Sequence, residues 1–301
     1  MPDISKINAL AIGSVAKVDG LAKASILDID GVAVSTAIAA PAAAYSVRLL
    51  DSAVGVPTYT GSAMRVREAS GDTETDIGFD TNGDLDTAAI ATHCGTANGF
   101  VVTWYDQSGN GNDAEQPTAG GAGSQPKIYD GTTQAVITEN GKPALDFDGN
   151  DQLRYDTATS LGTTHAFSIV GNPETIADET FAHFGGPSKG FASFFQSSKW
   201  NFFYRGVSNY LSTNNATTGQ QLQIGNTSSA TYHLLHVDGV EQINTTPGTM
   251  ITPTDSISIG VYDTDKSRLT GNLQEVIWWD SDQRTNRTGI ETDINDYFSI
   301  Y

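Results

Sequence analysis

From Gly99 to about Ser281 the chain alternates short runs of β-branched and aromatic residues with Gly, Asn, Asp and Ser turns. FVVTWYD, PALDFDG, HAFSIVG, FASFFQ, WNFFYRG, YHLLHVDG, SISIGVYD and LQEVIWWD are examples of such runs. Successive side chains on a strand point to opposite faces, so a series of such runs predicts an antiparallel β-sandwich. The last segment, SDQRTNRTGIETDINDYFSIY, changes period. Its Ile290, Ile294 and Phe298 fall four apart, the spacing of a helix that buries one face, and Ser281 or Asp282 could cap it. Residues 41–99 mix short helical and strand patterns.

The N-terminus has a different pattern. Residues 4–36 read ISKINALAIGS, VAKVDGLAKAS and ILDIDGVAVST, three lines of eleven, followed by an Ala-rich exit. Column one is Ile4, Val15, Ile26; column four is Ile7, Val18, Ile29; column seven is Leu10, Leu21, Val32. Asp19-Gly20 and Asp30-Gly31 stand where the first line has Asn8-Ala9. Asp-Gly between apolar residues signals a tight turn, because both central positions need positive φ. Each line is therefore expected to be two very short strands around a turn. Repeats this small cannot bury their own apolar face. Two readings stand, an ordinary meander and a docking module covered by another chain. The second is preferred, with Ile7, Val18, Ile29, Leu10, Leu21 and Val32 as the assembly interface. Residues 1–40 are accordingly taken as an anchoring segment and 41–301 as the sandwich domain.

Composition narrows the function classes. Lys and Arg total 16 against 35 Asp and Glu, a formal net charge of −19. Such a surface repels phosphate backbones, so nucleic acid is not an expected partner. The single cysteine, Cys94, forms no internal disulfide and is expected to pack as a small hydrophobe. No apolar run reaches the eighteen or so residues of a membrane span. No basic region precedes an apolar core at the N-terminus, so synthesis in a bacterial cytoplasm and release by lysis are expected.

The densest motif is TWYDQSGNGNDAEQ, residues 103–116. Together with AYSVRLLD, MRVRE, DIGFD, LDTAAIATHCG, QPKIYDG and NGKPALDFDG it resembles the catalytic-domain family of α-L-arabinofuranosidase B over roughly residues 42–155. PALDFDGNDQLRY, YHLLHVDGVEQINTT and ISIGVYDTDKSRLTGNLQEVIWWD resemble the laminin-G-like and concanavalin A-like group. The fold these resemblances imply is all-β, a two-sheet antiparallel jelly roll with a short C-terminal helix. The arabinofuranosidase resemblance also implies a catalytic acid, for which Asp263 in ISIGVYD is the match. It places the nucleophilic Glu on a middle strand that here reads GFASFFQSS, with Ala192 or Ser193 near the expected position and no carboxylate between Gly185 and Trp200. Glu179 precedes that strand, and the family's tandem cysteines are absent from ETFAHFGG. A retaining glycosidase needs two carboxyl groups about 5 Å apart.

Other groups suggest binding. Asp80, Asn82, Asp84 and Asp86 alternate like the start of a Ca²⁺ loop, although Ala91 stands where a bidentate Glu is needed. The competing reading is a polar turn in which Asp86 caps a helix. DFDGNDQ and YDTD are further acidic turns, so a structural Ca²⁺ is conceivable and no cofactor is required. The five histidines show no ligand spacing, and His233 and His236 are expected on opposite strand faces. Trp200, Tyr204, Arg205 and Asp263 are the glycan-binding candidates. Phe202 and Tyr204 should share one face and Phe203 the other, and one of Trp278 and Trp279 should be exposed or covered by the terminal helix.

A repeat ahead of such a sandwich resembles virion structural proteins of tailed bacteriophages. That resemblance implies a fibre, tail or head-decoration protein on the virion, homo-oligomeric and trimeric by expectation. Its repeat would bind other virion proteins, and its non-catalytic, lectin-like domain would attach to a host-surface glycan or stabilise the particle. The alternative is a glycoside hydrolase of the α-L-arabinofuranosidase type.

Overall fold

The computed structural model describes residues 17–18, 21–22, 28–29, 32–33, 38–116, 121–157, 159–186, 189–204, 208–262 and 267–301. The chain forms two compact units, Met1–Ile38 and Ala39–Tyr301.

In the first unit, Lys17–Val18 pairs with Leu21–Ala22 and Asp28–Ile29 with Val32–Ala33. Val18 opposes Leu21 and Ile29 opposes Val32; Asp19-Gly20 and Asp30-Gly31, where tight turns are expected, lie outside the described residues. Ile7 and Leu10 lie outside the described residues, as do the side chains of Val18, Leu21, Ile29 and Val32.

The second unit is the antiparallel sandwich that the alternation predicts. Its first sheet runs Val240–Thr245, Tyr232–Val237, Gln221–Ser228, Thr164–Pro173 and Thr270–Trp279. The far edge of Thr270–Trp279 pairs with Leu145–Asp148 along its first half and Ala43–Ser46 along its second. The second sheet runs Ser208–Leu211, Lys199–Tyr204, Phe191–Gln196, Thr180–Phe184, Ile257–Ile259 and Leu153–Tyr155. It continues through Ala114–Glu115, Gly99–Trp104, Met64–Glu68 and Glu74–Ile77. The strand Lys127–Asp130 bonds to both Gly99–Trp104 and Leu145–Asp148, so the two sheets are continuous at that edge.

The core lies where the sheets face each other. Phe167 of the first sheet stacks on Phe184 at 5.4 Å and meets Phe202 edge-on at 5.1 Å, both from the second. Such pairs add roughly 0.5–1.5 kcal/mol each beyond area burial. Gly225 lets Phe167 lie flat, since a Cβ there would come within 2.1 Å of its ring. Hairpins use the turns their twist demands. Asp238 and Gly239 have φ of 50° and 74°, and Ser197 and Ser198 have 53° and 62°.

Two helices complete the unit. Asp86 accepts the Ala89 amide at 2.9 Å and caps α1, Thr87–Cys94, as the turn reading predicts. Cys94 is buried beside it. The terminal helix α2, Arg287–Phe298, buries Ile290, Ile294 and Phe298. It starts later than Ser281 or Asp282: its N-cap is Asn286, without a side-chain capping bond. Asp282 is instead paired to Arg284, with N–O contacts of 2.8–3.1 Å. Trp278 and Trp279 are both buried, the second donating to the Val54 carbonyl at 3.2 Å.

An ion network fastens α2 to the strands Ala43–Ser46 and Thr270–Trp279 of the first sheet. Glu275, fully buried, accepts from Arg48 Nε at 2.8 Å and from Ser46 Oγ at 2.8 Å. Arg48 also reaches Asp293 at 2.7 Å and lies over the Tyr297 ring at 5.3 Å.

Candidate functional site

The YDQSGNGN string turns out to be a clamp. Asp106, 3% exposed, accepts four bonds through its two oxygens: Ala44 N at 2.8 Å, Ser108 N at 2.9 Å, Ser108 Oγ at 2.6 Å and Asn112 N at 3.0 Å. Gln107, fully buried, accepts from Leu50 N and donates to the Ser46 and Arg48 carbonyls. Asn110 and Asn112 donate to the Ala42 carbonyl. The loop thereby holds the entering strand Ala43–Ser46 against the sandwich. A buried polar network pays off only when every member is satisfied, which is why so many specific residue types recur in so short a stretch.

The Asp80–Asp86 cluster is likewise structural. Asp80 accepts the Asn82 and Asp84 amides at 2.7 and 3.1 Å, Asp84 accepts from the Tyr297 hydroxyl, and Asp86 is the helix cap. These bonds hold Asp80, Asn82, Asp84 and Asp86 in a polar turn. Among the described residues, no group of three or more His, Cys, Asp or Glu is placed to hold a metal ion.

The aromatic candidates divide by face, as strand alternation requires. Phe202 and Tyr204 point inward and are fully buried; Tyr204 lies edge-on to His233. Trp200 is 6% exposed and donates its indole N–H to Gln221 at 2.7 Å. Trp200 and Tyr204 are therefore core residues and offer no open ring to a sugar, a correction to the sequence reading. Arg205 and Asp263 lie outside the described residues. His233 and His236 fall on opposite faces. His233 is fully buried, between Thr227 and the Phe202 carbonyl, each at 2.9 Å.

The outward face of the second sheet carries the rings that the sequence reading passed over. Phe194, Phe203 and Tyr262 are half-buried there. The Tyr262 ring is 5.6 Å from Phe203, 6.2 Å from Phe194 and 4.9 Å from His183. His183 faces the Lys189 carbonyl through Nε2 at 2.9 Å, so that nitrogen carries the proton. Beside the rings, Asn201 donates to Gln196 at 3.0 Å across the hairpin. The face thus offers an aromatic platform edged by the half-buried Gln196 amide, and the chain continues from Tyr262 directly into Asp263.

No carboxylate lies on Thr180–Phe184, Phe191–Gln196 or Lys199–Tyr204. Ser193 points inward and donates to Gln223, and Ala192 is buried. Glu179 accepts from Thr175 at 2.6 Å and from Thr270 N at 3.4 Å, which turns it away from the platform. Burial raises its pKa above the ordinary carboxylate value.

Comparison with known proteins agrees with this architecture. The sequence model of the family described as alpha-L-arabinofuranosidase B, catalytic, matches residues 34–171. A solved GH54 α-L-arabinofuranosidase soaked with a cyclic sulfate inhibitor superposes with a TM-score of 0.68 at 16% identity. A mutant GH54 α-L-arabinofuranosidase soaked with 4-nitrophenyl α-L-arabinofuranoside gives 0.68 at 15%. An arabinofuranosidase complexed with arabinofuranosyl-α-1,2-xylobiose gives 0.62 at 16%. Each comparison covers 84% of this chain and 62% of the other, so the chain spans less than two thirds of those enzymes. No curated protein matches significantly. The fold is that of an α-L-arabinofuranosidase B catalytic domain. The expectation of a non-catalytic virion protein of a tailed phage is overturned by these matches, which point to an arabinofuranosidase-like fold.

Proposed function

We propose that the chain is a glycoside hydrolase domain of the α-L-arabinofuranosidase type, acting on terminal arabinofuranosyl units. What carries the reading is that a family-specific sequence match over residues 34–171 and a fold match over 84% of the chain name the same enzyme class.

In this reading, the Phe194, Phe203 and Tyr262 rings pack against the apolar face of the furanose, and Gln196 bonds one of its hydroxyls. Asp263, next in the chain after Tyr262, protonates the departing glycosidic oxygen. The second carboxyl group that glycoside hydrolysis requires comes from outside the strand Phe191–Gln196, which carries none. Asp263 is thus the residue on which the reading is tested.

The experiment is release of nitrophenol from 4-nitrophenyl α-L-arabinofuranoside by the full chain and by Asp263→Asn. The expected result is turnover that the substitution lowers at least 100-fold, the scale of general acid catalysis. Saturable binding of the glycoside with no release, or release indifferent to Asp263→Asn, overturns the reading.

A further inference from the structure

Register lines up four side chains across the outward face of the second sheet. Ser258 opposes His183, His183 opposes Ala192 and Ala192 opposes Phe203. His183 and Phe203 are two strand spacings apart, about 9.5 Å, with only the alanine methyl between them. The Tyr262 ring, which comes from beyond the strand Ile257–Ile259, lies 4.9 Å from His183 and 5.6 Å from Phe203. Each distance is about half the gap, so the ring stands over Ala192 between the other two. It is tilted 42° to His183 and 89° to Phe203, so the three do not form a flat stack.

His183 faces outward and is nevertheless fully buried. The loop after Phe184 folds back to it and sets the Lys189 carbonyl 2.9 Å from Nε2. Gly190 makes that return possible: its φ is 70°, and a Cβ there would come within 1.9 Å of the Phe184 carbonyl oxygen. An apolar side chain could fill the same space, but it would leave the Lys189 carbonyl without this donor. Imidazole meets both demands, since its N–H serves the loop while its ring supports Tyr262.

We propose that His183 is the positioning residue of the platform: its ring props Tyr262 at the angle at which Tyr262 packs against the sugar. His183 itself touches no ligand, since none of it is exposed. The inference rests on the hydrolase reading for the identity of the sugar. Two properties of one side chain then separate. The Nε2–H bond to Lys189 contributes to stability, whereas the ring contributes to affinity through Tyr262.

Nitrophenol release from 4-nitrophenyl α-L-arabinofuranoside by His183→Gln, His183→Phe and His183→Leu tests it, with thermal unfolding of each full-length chain. Glutamine keeps an N–H donor without a ring, phenylalanine keeps a ring without a donor, and leucine has neither. The expected result is a crossed pattern. His183→Gln should melt above His183→Phe, yet raise KM about fivefold or more with kcat within about threefold of the unaltered chain. His183→Phe should melt lower and keep KM within about twofold. His183→Leu should raise KM as glutamine does, and it takes that variant's place should the glutamine chain not fold. Affinity that follows stability through the series, a fall in kcat at unchanged KM, or failure of both ring-less variants to fold would each refute the positioning role. Where the unaltered chain releases no nitrophenol, Kd for the same glycoside, from amide shifts of the ¹⁵N-labelled chain, replaces KM. The crossed pattern in Kd would then uphold the positioning role and overturn hydrolysis, and absence of saturable binding would overturn both.

Discussion

Arg48→Met should be among the most costly single changes in the sandwich. Arg48 is 8% exposed and Glu275 fully buried, joined by Nε–Oε2 at 2.8 Å and NH2–Oε1 at 3.3 Å. Methionine fills much of the arginine stem's space but leaves the Glu275 carboxylate with only the Ser46 hydroxyl, at 2.8 Å. Removing one member of a buried pair costs roughly 3–5 kcal/mol, because the survivor is desolvated without compensation. The contact to Asp293 adds little, since that side chain is 23% exposed and an outward pair contributes about 1 kcal/mol or less. Asp293→Asn should therefore cost about 1 kcal/mol, and Arg48→Met several times more. The double variant Arg48→Met/Glu275→Leu removes both charges and should recover most of the loss. Urea unfolding at pH 7, followed by tryptophan fluorescence, measures all three. A loss below about 1 kcal/mol for Arg48→Met, or a double variant no more stable than that single one, would refute the reasoning.

Three further outcomes follow from the same geometry. Burial lowers the His165 and His233 pKa values from 6.5 to about 4. The unfolded chain then binds protons the folded one refuses, so stability falls as pH drops from 6.5 towards 4, by about 3 kcal/mol per ring. The deficit of His233→Gln relative to the unaltered chain should shrink by about that amount over this interval, and a constant deficit would contradict the assignment. Asp151 has the opposite sign. Its folded pKa of about 7 lies above the ordinary 3.8, so stability is lost as pH rises between them. Asp151→Asn keeps an acceptor for the Asp148 amide and should raise the unfolding free energy at pH 8 but not at pH 4, by roughly 2 kcal/mol after solvent screening. Gly225→Ala forces a Cβ to within 2.1 Å of the Phe167 ring and should cost about 1–3 kcal/mol in the same urea assay; a neutral effect would show that the ring can move.

Much of the fold was legible because burial leaves a periodic trace. Alternation marked the strands, Asp86 stood where a cap belongs, and Ile290, Ile294 and Phe298 marked the buried stripe of α2. The start of α2 was not legible, because Ser281 and Asp282 look like caps while the backbone turns helical only after Asn286. The platform was missed for a symmetrical reason. KWNFFY has aromatic residues on both faces, so period alone does not say whether Phe203 or the Phe202–Tyr204 pair faces out. Long-range register was beyond sequence reading altogether: Phe100, Lys127, Asp146, Asn272 and Asn172 become neighbours only through the pairing of five strands. The YDQSGNGN string lies in the stretch that the arabinofuranosidase family model matches, and its side chains fasten Ala43–Ser46. The N-terminal repeat suggests a virion protein, whereas the fold match falls on the sandwich.

Nitrophenol release from 4-nitrophenyl α-L-arabinofuranoside, compared between the full chain and Asp263→Asn, is the most direct measurement of the central claim. Turnover by the unaltered chain, reduced at least 100-fold by the substitution, is the predicted result. Binding of the glycoside without any release of nitrophenol would contradict it.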